Sequence, residues 1–383
     1  MKKIIVVSGS RSEYGLLKPV IKALKESLDF EVKIFVTGSH LEKAFGDTKK
    51  EIEKDFKIDG IVPLPMANDT NEAMGVVAGK SILGFAEAFG REKPSMILIL
   101  GDRVEIFGAA IAAYYLNVPI AHLHGGDRSI GGHLDDSIRH AITKLAHIHL
   151  AATKESASRI IKMGEEKRRV FVVGAPGLDS ILDGETIFAP EIAIKYNLDL
   201  SNPIILAVQH ALTTEAEAAA GQMKEIFGAI VELKLQTVLI YPNADAGSRR
   251  MIEEIEKIER KKYPFIQTYK NINHSEYLGL MNAASVMIGN SSGGIIEAPS
   301  FKLPVVNIGS RQKGRERATN VIDADCNKDK IKAAVKKALS EKFVKKMKKC
   351  KNPYGDGKAA VKIAKILGKV KIDKALLQKK ITY

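Results

Sequence analysis

Short continuous apolar runs alternate along this chain with longer stretches in which apolar residues recur every three or four positions. The runs predict strands at residues 4–7, 32–36, 96–100, 120–123, 148–151 and 170–173, and a second series at 204–208, 237–241, 265–267, 286–288 and 305–308. The spaced pattern predicts helices, among them 16–28, 82–90, 138–145 and 216–233. A strand made almost wholly of Ile, Val and Leu has no face for water, so both its faces are covered, as in a parallel sheet between layers of helices. Strand and helix in strict alternation therefore indicate an α/β protein.

The composition shifts near Gly174-Ala175-Pro176-Gly177, and the chain stays irregular as far as Pro190. A chain of 383 residues exceeds what one ordinary core organises. The expected division is into two doubly wound domains, residues 1–178 and 179–359. Such sheets bind ligands beyond the carboxyl ends of their strands. A cleft shared by the two domains is the expected site.

The net charge of +14 invites a nucleic-acid reading, but its location removes it. Nineteen lysines and four acidic residues lie between Lys328 and Lys380, which leaves the rest of the chain close to neutral. In that segment Ile331, Val335, Leu339 and then Ala360, Ile363, Ala364 and Leu367 recur at helical spacing, with lysines between them. This describes amphipathic helices with solvated lysine faces. Only Phe343 and Tyr354 fall among these lysines, too few for the row of stacking platforms that nucleic acid would require. Cys326 and Cys350 are read as two free thiols. No apolar run approaches the roughly 20 residues of a membrane span. Residues 4–7 end at Ser8, too soon for a secretory signal. A cytoplasmic protein without membrane or nucleic-acid partners is expected.

Four groups of residues carry candidate chemistry. Ser8-Gly9-Ser10-Arg11-Ser12-Glu13-Tyr14-Gly15 follows the first strand and enters a helix, a variant phosphate loop with Arg11 inside it. It lacks the dinucleotide fingerprint, and an ordinary strand-to-helix turn is the other reading. Gly101-Asp102-Arg103-x-Glu105 puts an acid and an arginine at the end of a buried strand, either a structural ion pair or a carboxylate near a reacting ligand with Arg103 beside it. The densest group runs from His122-Leu123-His124-Gly125-Gly126-Asp127-Arg128 to Asp135-Asp136-Ser137-Ile138-Arg139-His140. Asp135 and Arg139, and Asp136 and His140, are each four apart and share a helix face. Six of the nine histidines lie between His122 and His149, but no cysteine joins them and no H-E-x-x-H spacing occurs, so no metal is assigned.

The fourth group lies in the second half. Val208-Gln209-His210 ends one strand, and Tyr241-Pro242-Asn243 ends another. Gly289-Asn290-Ser291-Ser292-Gly293-Gly294 then leads into Ile295-Ile296-Glu297-Ala298-Pro299. Hydroxyls, glycines and free amides at a helix start form a diphosphate cradle. Glu297, about one turn in, is placed to accept hydrogen bonds from ribose hydroxyls. Arg311 and Arg315 add cations.

In their order along the chain these groups resemble the hydrolysing UDP-N-acetylglucosamine 2-epimerases of the sialic-acid and legionaminic-acid pathways. The resemblance runs from Lys3 to about Lys358 and ends in Asn352-Pro353-Tyr354-Gly355-Asp356-Gly357. It implies the GT-B architecture: two Rossmann-like domains with parallel sheets facing a central cleft, and a C-terminal helix (360–383) packed back on the first. It implies elimination of UDP to 2-acetamidoglucal, then addition of water to give the 2-epimeric free sugar, N-acetylmannosamine from UDP-N-acetylglucosamine. By the resemblance, Asp102, Asp127 and Asp135 are catalytic acids with Arg139 as partner. Arg11 and His210 face the phosphates and sugar, Ser291 and Ser292 hold the diphosphate, and Glu297 holds the ribose. Arg103, His124, Gly293, Arg311 and Arg315 complete the binding set. No cofactor is implied, and a homodimer or homotetramer is.

This chain departs from many relatives in having Asp127 where they have glutamate, and from some in having His124 where they have glutamate. The segment from Asp127 to Asp135 is longer than in the animal enzyme. The identity of the base therefore stays open, as does the substituent at C4: a UDP-2,4-diacetamido-2,4,6-trideoxyhexose is the alternative substrate. A non-hydrolysing epimerase, a GT-B glycosyltransferase and an RNA-binding module using the lysine-rich end are the competing readings. The acid cluster from 122 to 140 argues against the last two.

Overall fold

The computed structural model describes residues 1–42, 48–65, 70–128, 134–182, 186–243 and 245–382. The chain divides into two compact units, the first made of Met1–Arg128, Leu134–Asp179 and Tyr354–Tyr383, the second built on Ser180–Pro353.

The first unit holds seven strands: β1 (Lys2–Ser8), β2 (Phe30–Thr37), β3 (Gly60–Val62), β4 (Met96–Leu100), β5 (Ile120–Leu123), β6 (Ile148–Ala151) and β7 (Val170–Val172). They form one sheet in the order β3-β2-β1-β4-β5-β6-β7, with every neighbouring pair parallel. The second unit holds β8 (Ile204–Val208), β9 (Gln236–Ile240), β10 (Ile266–Tyr269), β11 (Val286–Gly289), β12 (Val305–Ile308) and β13 (Val321–Ala324). Their order is β10-β9-β8-β11-β12-β13, again all parallel.

Successive side chains on a strand point to opposite faces, and β1 uses both. Ile4 and Val6 pack into a core with apolar residues of the helices Arg11–Lys25 and Ala359–Lys369. Ile5 and Val7 join the opposite core with the helices Asn71–Glu92 and Val104–Tyr115. All four are fully buried, each contributing about 1.5–3 kcal/mol relative to exposure. The second unit repeats the scheme. Ile205 and Ala207 face the helices Ala219–Leu233, Ser248–Lys261 and Lys328–Ala338, while Ile204, Leu206 and Val208 face Ala189–Lys195 and His274–Ala283.

Three features depart from the sequence pattern. β3 and β13 are edge strands of three and four residues, too short to show a period. The helix foreseen at 82–90 extends over Asn71–Glu92, because Thr70 caps it early and Gly75 and Gly79 dilute its first half. It is long and apolar enough by length and composition to cross a membrane, where no such run was expected. Val77, Phe85, Ala88 and Phe89, however, are buried against the sheet.

The lysine-rich end behaves as amphipathic helices. Ile331 and Val335 enter the second core, and Ala360, Ile363 and Leu367 enter the first. Lys336, Lys337, Lys342, Lys362 and Lys365 remain exposed. The return to the first unit begins at Tyr354. There the Asp179 carboxylate accepts from the amides of Ala359 and Ala360 at 3.0 and 2.6 Å, capping the helix Ala359–Lys369.

Candidate active site

Each sheet reverses its strand order once, between β1 and β4 in the first unit and between β8 and β11 in the second. At such a switch point the crossovers leave toward opposite faces and the loops beyond the strand ends part, leaving room for a ligand. The loops that follow these four strands carry Arg11, Asp102 with Arg103, His210, and Ser291 with Ser292.

In the first unit, Asp102 follows the turn at Gly101. His122 is fully buried on β5, and burial pulls its ring down to about 3, so it is neutral. Its Nε2 donates to the Gly101 carbonyl at 2.8 Å, which fixes the turn before Asp102. Arg139, on the helix Leu134–Leu145 and 4% exposed, binds the Asp102 carboxylate directly. The same guanidinium donates to Asp136 Oδ1 and to the Asp127 carbonyl, both at 3.1 Å. Asp136 is thus shared between Arg139 and His140, whose Nε2 lies 3.7 Å away. The Asp127 carboxylate is held at both oxygens, by Ser156 Oγ at 2.7 Å and by His124 Nδ1 at 3.0 Å. Asp102 Oδ1 has no partner among the described residues.

In the second unit a buried amide does the organising. Asn290 Oδ1 accepts from the His210 amide at 2.7 Å and its Nδ2 donates to the His210 carbonyl at 2.9 Å. The ends of β8 and β11 are clamped together by this pair. The Asn243 amide donates to His210 Nδ1 at 3.1 Å, which places a neutral ring's proton on Nε2. Arg311 Nη1 and Gln312 Nε2 both donate to the Asn290 carbonyl, at 3.2 and 2.8 Å. Ser291 and Ser292 follow. Their backbone amides make no hydrogen bond among the described residues, and Ser291 Oγ accepts from the Gly293 amide at 3.3 Å. Glu297 is 4% exposed.

The turn that presents these serines depends on Gly289. Its φ is +121°, and a Cβ there would stand 2.0 Å from the Val208 carbonyl oxygen. Gly289→Ala therefore forces β8 and β11 apart as well as straining the backbone. It is expected to lower the free energy of unfolding by about 3 kcal/mol or more, read by urea denaturation.

The geometry groups Asp102, Asp127, Asp136, Arg139 and His124 in one unit, and His210, Asn290, Ser291, Ser292 and Arg311 in the other. Asp135 stands on the same helix as Arg139, half-buried. Residues 129–133, which include His133, lie outside the described residues. His147 and His149 are buried and take other partners: His149, beside His122 across β5 and β6, has Nε2 3.1 Å from Glu165 Oε2. No group of three or more His, Cys, Asp or Glu fit to hold a metal occurs among the described residues. The sequence reading missed Asn290, Gln312 and Ser156. Asn290 and Gln312 had a signal, their places inside the motifs Gly289–Pro299 and Arg311–Arg315, and Ser156 had none.

Near Arg11 the loop differs from a free phosphate cradle. Glu13 Oε2 accepts from the amides of Gly9 and Ser10 at 2.7 and 3.1 Å, and Ser10 caps the helix in return. These two amides are committed within the chain, so an anion here is met by side chains instead.

Residues 22–368 match the family described as UDP-N-acetylglucosamine 2-epimerase. A Legionella pneumophila protein named UDP-N,N'-diacetylbacillosamine 2-epimerase (hydrolyzing) is 40% identical over 380 residues, 99% of each chain. A Neisseria meningitidis UDP-N-acetylglucosamine 2-epimerase is 33% identical over 343 residues, 89% of this chain and 88% of that one. The S. aureus MnaA–UDP co-structure has the same fold, with a TM-score of 0.81 at 24% identity over the whole of both chains.

Proposed function

From the premise that this chain belongs to the UDP-N-acetylglucosamine 2-epimerase family, we propose that it removes UDP from a UDP-linked 2-acetamido sugar and releases the sugar inverted at carbon 2. In the first step a base takes the C2 proton, the C–H electron pair becomes the C1=C2 double bond, and the C1–O bond breaks as UDP leaves. In the second, water adds its oxygen to C1 while a proton reaches C2 from the opposite face. UDP-sugar and water go in, UDP and the free 2-epimer come out, and no cofactor enters the balance.

The observation that carries this reading is the Arg139–Asp102 pair at the switch point of the first sheet. The C2 proton is weakly acidic, so its acceptor must be fixed and within reach. Asp102 is fixed through one oxygen and open at the other, whereas Asp127 is engaged at both. We assign the C2 proton to Asp102 and the second face to Asp127 with its partner His124. Asp135 and Asp136 set the field around Arg139. The departing diphosphate is assigned to the amides and hydroxyls of Ser291 and Ser292 with Gly293, to Arg311 and Arg315, and to His210 through its Nε2–H. Arg11 and Arg103 supply further positive charge. Developing charge on a leaving group is best met by donors already in place, and the Asn290 clamp holds His210 and Ser291 in register.

The relative at 40% identity favours a 2,4-diacetamido-2,4,6-trideoxyhexose as the sugar. The relative at 33% carries the second reading, UDP-N-acetylglucosamine giving N-acetylmannosamine. Replacing both serines, Ser291→Ala with Ser292→Ala, is expected to weaken UDP binding by about tenfold or more in calorimetry, at about 1 kcal/mol for each hydrogen bond lost. Unchanged affinity would remove the cradle from this account.

A further inference from the structure

Beneath the turn that follows β1 lie charged groups of which the proposed reaction uses only Arg11 and Arg103. Glu105, on the helix Val104–Tyr115, is fully buried. Its Oε1 accepts from Arg103 Nε at 2.6 Å, and its backbone carbonyl accepts from Ser81 Oγ at 2.9 Å. The carboxyl lies hard against two turns: a Cβ on Gly9 would stand 2.3 Å from Oε1, and one on Gly38 2.8 Å from it. Glu13 approaches Gly9 from the amide side, its Oε2 accepting from the Gly9 nitrogen at 2.7 Å. Each carboxyl has a second oxygen, Glu13 Oε1 and Glu105 Oε2, that is closed to solvent and has no hydrogen-bond partner among the described residues.

His40 is the remaining titratable neighbour. It is fully buried between Ser8 Oγ at 2.9 Å and Thr48 Oγ1 at 2.8 Å. Burial, then the charge of Arg103, pull it down to about 3, so it adds no charge. Two ionised carboxylates that flank the same glycine, both closed to solvent, repel, and one proton relieves the pair. With Arg11 and Arg103 both cationic, one retained proton leaves the four side chains one charge positive; its loss leaves them neutral.

We infer that Glu105 is a positioning residue for Arg103, and that Glu13 keeps the proton that leaves this group positive toward an anionic nucleotide. The inference rests on the reading of Arg11 and Arg103 as groups that serve a UDP-sugar. Burial, and after it the charge of Glu105, push the Glu13 carboxyl up to about 8, in the direction the geometry requires. The charge balance therefore changes within the range an assay covers.

The test compares wild type with Glu13→Gln and Glu105→Gln from pH 6.5 to 9, by UDP calorimetry, steady-state kinetics and thermal melting. Glutamine at position 13 keeps the capping box with Ser10, so this variant folds. It is expected to bind UDP within about twofold of wild type at pH 7 and about fivefold more tightly at pH 9, the effect of roughly one unit charge at partial screening. Glu105→Gln is expected to raise KM about tenfold with a smaller change in kcat, because Arg103 loses its anchor. It also moves the alkaline weakening of UDP binding to lower pH, since Glu13 no longer faces a like charge. A purely structural role for Glu105 would not move that limb.

Melting separates this inference from the function on which it rests. Between the ordinary carboxylate range and pH 8 the folded chain binds one more proton than the unfolded chain, so wild-type stability falls as pH rises there. Relative to Glu13→Gln, wild type is expected to lose melting temperature from pH 6.5 to 9 whether or not UDP binds. If that loss appears and no protein binds UDP, the proposed function fails and the proton on Glu13 stands. If Glu13→Gln tracks wild type in melting and in binding at every pH, or Glu105→Gln leaves KM and the alkaline limb where they were, the inference is overturned.

Discussion

Asp102→Asn is expected to lower kcat by about a thousandfold while leaving UDP affinity within about twofold of wild type. The amide keeps the shape of the carboxylate and its place after β4 but cannot take a proton. General-base catalysis contributes about 10²–10⁴ in rate, and the middle of that range is expected because Asp102 is positioned by Arg139 instead of diffusing to the substrate. UDP affinity is assigned chiefly to the loops after β8, β11 and β12, which belong to the other compact unit, and Asp102→Asn leaves the added charge of Arg11 and Arg103 in place. Loss of rate without loss of binding is therefore the signature of Asp102 as the base. Turnover within about threefold of wild type would remove it from that role.

Arg139→Met is expected to do more harm to the protein. Arg139 is buried and joins Asp102, Asp136 and the Asp127 carbonyl. Methionine fills similar volume but leaves two partly buried carboxylates without their cation. Breaking such a pair costs about 3–5 kcal/mol. The lower end is expected, since the Asp102 and Asp136 side chains are 17% and 22% exposed and water screens them in part. Urea denaturation reads the loss, and turnover falls with it because Asp102 is no longer held. Arg139→Lys is expected to restore much of the stability and little of the turnover, since an ammonium cannot bridge three acceptors in one plane. Full turnover in Arg139→Lys would mean that charge alone, without geometry, holds the acids.

Much of this was legible in the chain. Runs such as Ile4-Ile5-Val6-Val7 and Met96-Ile97-Leu98-Ile99-Leu100 have no polar face, so the parallel sheets followed from burial alone. The edge strands β3 and β13 escaped, because a partner on one side only permits short, mixed sequences, as in Val321-Ile322-Asp323-Ala324, whereas the edge strands β7 and β10 were foreseen. Within the acid cluster, helical spacing gave Asp136 to His140, and the structure shares it with Arg139. Long-range partners were not legible: nothing local brings Ser156 to Asp127, 29 residues away, or joins Asn290 to His210 across 80. The loop after β1 was readable as a turn into a helix. That Glu13 occupies its amides is local, the capping box Ser10-x-x-Glu13, but that Glu105 and Gly38 press on the same turn is not, since the fold delivers them from elsewhere.

The histidines illustrate the same limit. Six within 28 residues invited one common role. His122 and His149 stand side by side on β5 and β6, yet His122 orients the Gly101 turn and His149 meets the buried Glu165, while His124 reaches Asp127 from beyond the end of β5. Their chemistry is set by the partner each one meets, not by the face of the sheet.

The central claim is elimination followed by addition of water. It is tested most directly by incubating the protein in D₂O with UDP-N-acetylglucosamine and, separately, with its 2,4-diacetamido-2,4,6-trideoxy analogue, and following both by NMR. The expected result is free UDP and a free 2-epimeric sugar carrying deuterium at C2 from at least one of the two. A sugar that stays attached to UDP, or a released sugar that keeps protium at C2, would contradict it.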